Sequence, residues 1–82
     1  MLKRFDEAEL SFRRSLSFEP GEHVAVFYLA RICCSTGRYD ETIRLLRPLL
    51  SERDLKVDRL QVIAVIDHAK RLLSMQTQVQ VP

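Results

Sequence analysis

An all-helical fold of stacked helical hairpins follows from three observations on the 82-residue chain: apolar residues recur at three and four, one pattern returns after 34 residues, and glycine and proline are scarce, at 2 and 3. The first observation marks amphipathic helices, each with one stripe to bury. The second marks a repeated unit, because self-similarity at a fixed period is the signature of stacked architectures. The third leaves few places where a helix must stop. With 46% hydrophobic and 29% charged residues the balance is that of an ordinary globular chain. The length fits one small domain, with no room for a catalytic domain beside a regulatory one.

The elements read in order. Phe5 to Phe18 forms a first helix, closed by Pro20-Gly21. From His23 to Thr36 the residues Val26, Leu29, Ala30 and Cys33 make one buried stripe, and Gly37 then accepts the left-handed conformation that ends helices. The third helix opens on Asp40 and Glu41, which favour the positive end of the helix dipole, and runs through Ile43, Leu46, Leu49 and Leu50. Pro48 lacks the N–H of a helix interior and clashes with the carbonyl of Arg44, so a bend or an early finish is expected there. A long helix follows Asp54, with Leu60, Ile63, Ala64, Ile66 and Leu73 expected to face inward. The helical domain is bounded at residues 1–74, and 75–82 reads as a flexible tail of Gln, Thr and Val without bulk to anchor it.

The repeat is visible in the residues themselves. Phe5-Asp6-Glu7-Ala8 returns 34 residues later as Tyr39-Asp40-Glu41-Thr42, and Val26, Leu29 and Ala30 return as Leu60, Ile63 and Ala64. Ala8-x3-Phe12 is followed by Pro20, Val26-x2-Leu29-Ala30-x2-Cys33 supplies a second half, and Gly37-Arg38-Tyr39 makes the turn. From Phe5 to about Leu73 this resembles the tetratricopeptide repeat, a helix-turn-helix unit of about 34 residues. Thr42, Leu49, Asp54 and Asp67 depart from the family's small, small, proline and aromatic positions. The resemblance implies an α-solenoid fragment: one complete repeat flanked by two half repeats. Small residues at Ala8, Ala30 and Ala64 agree with it, since they let helices pack closely.

The resemblance also implies a function. In the family the first helix of each repeat lines a concave groove that receives a peptide or helix of another protein. Here that groove would present Val24, Phe27, Tyr28, Arg31 and Ser35 from one helix and Asp58, Gln61, Val62, Val65 and His68 from the next. Phe27 and Tyr28 are the anchors expected of a binding hot spot, though either could equally complete the core. The lysine, asparagine and arginine clamp for the acidic tails of heat-shock chaperones is missing, with Tyr28, Asp58 and Val62 in its places. An adaptor or scaffold is the leading expectation. The alternative is a self-assembling subunit pairing through terminal helices, with Phe5, Ala8 and Phe12 as the face that another copy or further chain would cover.

Other classes are disfavoured. The formal charge is +2, and of 13 basic residues 10 are Arg, many at helix spacing from acids: Glu9 with Arg13, Asp40 with Arg44, Asp67 with Arg71. A solvated, paired face accounts for them better than phosphate binding does. Cys33 and Cys34 are neighbours and point about 100° apart on a helix, so they read as reduced thiols, Cys33 in the core and Cys34 toward the groove. His23 and His68 share no metal-ligand spacing with them, and no cofactor is expected. No nucleophile with a base, no phosphate-cradling loop and no paired carboxylates suggest an enzyme. No apolar run nears the ~20 residues of a membrane span, and acids follow Met1-Leu2-Lys3-Arg4 where a secretory signal would be apolar. A cytoplasmic protein is the expectation.

Overall fold

In the computed structural model of the protein, residues 2–80 are described, with side chains from 5 to 76. Helix α1 spans Leu2–Phe18, α2 His23–Ser35, α3 Tyr39–Leu46 and α4 Arg59–Gln80, and a 3-10 segment, Arg47–Ser51, continues α3. Among the described residues there is no strand.

Each boundary has a local cause. After α1 the chain turns over Pro20 and Gly21, and the Glu22 carboxylate accepts the Val24 N–H at 3.0 Å, capping α2. Gly37 ends α2 at φ 85°, which lets the Arg38 N–H reach the Cys33 carbonyl at 2.8 Å. The Asp40 and Glu41 carboxylates stand in the first turn of α3. That helix stops at Leu46 and tightens into the 3-10 segment carrying Pro48, the early finish expected of a proline there. The Asp58 carboxylate then accepts the Leu60 N–H at 3.0 Å and starts α4.

The helices lie side by side. Each packs chiefly on its neighbour in the chain, and α4 also meets α2 and the 3-10 segment. The radius of gyration is 13.4 Å, against about 12 Å for a compact chain of this length, and the extents of 44 × 32 × 17 Å describe a slab. Phe27, Ala30, Leu46, Leu49, Val62 and Ile66 form its central core. Thr42, fully buried, places its hydroxyl 3.1 Å from the Ala30 carbonyl and 3.0 Å from that of Arg38, so this polar atom inside the slab is satisfied.

Between the 3-10 segment and α4 the backbone is irregular yet tied. The Arg59 guanidinium donates to the Leu50 carbonyl at 2.6 Å and the Glu52 carbonyl at 2.7 Å, occupying groups left open where the 3-10 segment ends. The His23 Nδ1 accepts the Lys56 N–H at 3.1 Å, which joins this connection to the start of α2.

Helix α4 departs from the expected face. Val62, Ile66 and Ala69 are its buried residues, whereas Leu60 is 74% exposed, Ile63 38% exposed and Ala64 exposed. From buried Ala30 and Cys33 to buried Ile66 and Ala69 the step is 36 residues, two more than the offset in the sequence. The helix also continues over 75–80, where the composition suggests a tail; residues 81–82 lie outside the described residues.

Candidate functional site

Helix α2 sits between α1 on one side and α3 and α4 on the other, so one strip of its surface is left to solvent. That strip is Val24, Tyr28, Arg31 and Ser35, spaced at four, three and four residues and all exposed. Two grooves flank it. The first, of about 320 Å³, is lined by Arg31, Cys34 and Ser35 of α2 and by Ala64, Val65 and His68 of α4. The second, of about 250 Å³, lies toward α1 and is lined by Phe5, Phe12, Tyr28, Arg31, Ile32 and Ser35.

Aromatic packing fixes the ridge between them. Phe12 and Tyr28 stack with centroids 5.8 Å apart and planes 14° from parallel, and Phe27 meets Tyr28 edge-on at 5.9 Å. The Arg31 guanidinium lies over both rings of its own helix, 5.8 Å from the Phe27 centroid and 5.9 Å from that of Tyr28. No chain resembling this one supplies a template: no family model, curated protein or solved structure matches.

The expected groove residues divide accordingly. Arg31, Ser35, Val65 and His68 come together around the first groove, and Tyr28 lines the second. Val24 and Gln61 are exposed but line neither. Phe27, 5% exposed, and Val62, fully buried, are corrections: both belong to the core, because the apolar face of α4 that meets α2 and α3 is the one carrying Val62. Asp58 is exposed, caps α4 with its carboxylate and, like Val24 and Gln61, lines neither groove. Ala64, expected to face inward, is exposed and lines the first groove. The signal was there: Ala64 and His68 are four apart, so a groove holding one holds the other.

Phe5, Ala8 and Phe12 turn toward α2 rather than fully outward. Ala8 and Phe12 are half-buried, and Phe5 is 42% exposed at the mouth of the second groove. Away from them, Leu10 of α1 and Phe18 at its end are 55% and 86% exposed.

Glu9 and Arg13 of α1, Arg38 just before α3 and Glu41 within it form a separate set. Glu9 accepts from Arg13 at 3.0 Å and from both arms of Arg38, one of them at 2.8 Å, and Arg13 also reaches Glu41 at 2.7 Å. The hydrogen bond from Arg38 is the main cause that holds the Glu9 carboxyl down at about 2, against an opposing effect of burial, with Arg13 assisting. Arg38 and Arg13 are raised in turn, by their hydrogen bonds to Glu9 and to Glu41 respectively. The Asp40–Arg44 pair forms as spaced, at 3.2 Å. Among the described residues no ion pair joins Asp67 and Arg71.

The thiols are free and unactivated. Burial pushes Cys33 up to about 11, with Glu41 adding to it, and burial raises Cys34 also, so neither is a thiolate at neutral pH. Among the described residues no three His, Cys, Asp or Glu side chains gather as metal ligands. No helix of the described residues is long and apolar enough to cross a membrane.

Proposed function

We infer that this chain is a helical protein-binding module, an adaptor or scaffold that receives a segment of another protein on the face formed by α2 and its two flanking grooves. The observation that carries the reading is the ridge of Tyr28, Arg31 and Ser35 between grooves lined by Phe5, Phe12, Ala64 and Val65. Aromatic and arginine side chains are those that dominate binding hot spots, and here stacking already orders them. A partner would therefore dock with little further ordering of the module.

The tetratricopeptide-type reading belongs to the same proposal. It is supported by the 34-residue offset from Phe5 to Tyr39 and by helices packed in chain order, and α4 is its departure. A cytoplasmic location belongs here too, supported by two free cysteines. The nucleic-acid alternative draws less support, because Arg13, Arg38, Arg44 and Arg59 are already engaged within the chain. Self-assembly is the second reading, favoured by the exposure of Leu60 and Leu10 on the outer flanks of α4 and α1.

Partner capture tests the leading reading. Ser35→Gln combined with Ala64→Gln places long neutral side chains in the first groove at two exposed helical positions. Pull-down with mass spectrometry is expected to lose the partners that the unaltered chain captures, with helicity by circular dichroism unchanged. Unchanged capture would discard the reading.

A further inference from the structure

Helix α4 has a second long face. Val62, Ile66 and Ala69 are buried in the slab, and Leu60, Ala64, Asp67, Arg71 and Ser74, spaced at four, three, four and three, run along the opposite side, all exposed. Alternating steps of three and four make the seam along which two helices pair. Leu60 at its head is 74% exposed, and Ile63 and Met75, also exposed, flank it. Ala64 stands where this strip meets the first groove.

Asp67 and Arg71 occupy the middle of the strip. They stand four apart, yet among the described residues no ion pair joins either to the other or to anything else. Arg14, Arg47 and Arg53 share that lack, so it is the placement of this pair that matters. An acid and a base so spaced are self-complementary in an antiparallel pair of helices: when Asp67 of one copy lies level with Arg71 of another, the two-fold relation brings the reciprocal pair level too. That register centres on residue 69, beside the midpoint of α4, and so lays the two helices against each other from residue 59 to residue 79, about 30 Å. Charge and length choose the same register. It also brings Ile63 and Ala64 level with Ser74 and Met75 of the second copy, whereas a parallel pair would set acid against acid and base against base.

We propose that α4 pairs antiparallel with α4 of a second copy of this chain, Asp67 of each meeting Arg71 of the other. The inference rests on the self-assembly reading and names its face and register. The exposed charge pairs specify the register more than they strengthen it, and the apolar contribution comes from Leu60, Ile63, Ala64 and Met75.

Sedimentation equilibrium of the full chain over a concentration series tests it. The unaltered chain is expected to form dimers, and Asp67→Arg or Arg71→Asp alone to raise the dissociation constant at least about tenfold, because each sets like charges against each other. Mixed in equal amounts, the two variants are expected to regain the dimer, which also certifies that both are folded. The chain carrying both substitutions should pair with itself and not with the unaltered chain; the reverse preference assigns a parallel arrangement and overturns the proposal. Dimers indifferent to the single substitutions, or lost in them and not regained on mixing, overturn it and leave self-assembly standing. A chain that stays monomeric at every concentration overturns both and leaves the groove reading untouched.

Discussion

Gly37 carries the chain from α2 into α3 with φ at 85°, in the region that a Cβ disfavours. Nothing lies within 4 Å of where that Cβ would stand, so Gly37→Ala is costly through its backbone alone. A loss of about 1–2 kcal/mol is expected, read as a shifted midpoint in urea with unchanged slope. This residue was legible from sequence because a glycine between two helical stripes has few other uses. Phe27 was not. Phe27 and Tyr28 are adjacent aromatics on one helix, and composition gives no reason to bury one and expose the other. The neighbours decide: Phe27 joins Leu46, Leu49 and Val62, while Tyr28 stacks on Phe12 and stays 44% exposed.

At the scale of the element, α1 and α3 were readable because each has a polar side that fixes which way it turns, and α2 through its stripe of Leu29, Ala30 and Cys33. Helix α4 has Leu60, Val62, Ile63, Ala64, Val65 and Ile66 within seven residues, so its N-terminal half is apolar nearly all round. Periodicity then offers no single stripe, and the 34-residue offset chose Leu60, Ile63 and Ala64 by analogy. The fold chose differently, through the Asp58 cap and the Arg59 tie that fix where α4 begins and how it approaches α3. The same shift explains the candidate site, where the four exposed positions of α2 were legible and the α4 contribution was legible only at Val65 and His68. Paired substitutions check the register. Ala69→Leu forces bulk into a fully buried position and should cost about 1–3 kcal/mol, whereas Ala64→Leu, on an exposed face, should stay within about 0.5 kcal/mol. Thermal melts of the two variants distinguish the faces.

For the molecule as a whole, the Glu9, Arg13, Arg38 and Glu41 set joins α1 to the start of α3 across a thin slab, and it titrates. The Glu9 carboxyl sits at about 2 in the folded chain, below its ordinary 4.5. A depressed carboxyl contributes stability that is complete above its unfolded value and disappears as pH falls through its folded one. Melting temperature is therefore expected to drop between about pH 5 and about pH 2. Glu9→Gln should melt lower at neutral pH and show a shallower acid limb, because its side chain no longer changes charge. An acid limb of equal steepness in both would assign the loss to other carboxylates. From sequence, only Glu9 with Arg13 was visible in this set; Arg38 and Glu41 reach it through the fold, 29 and 28 residues away along the chain from Glu9 and Arg13.

The clasp made by Arg59 closes on main-chain oxygens, at Leu50 and Glu52, and every amino acid supplies such an oxygen. A change of side chain at exposed Glu52 therefore leaves its acceptor in place, whereas a change at Arg59 removes both bonds at once. The tie at the entrance to α4 thus depends on one side chain and on the path of the backbone it grips, whatever side chains stand at Leu50 and Glu52.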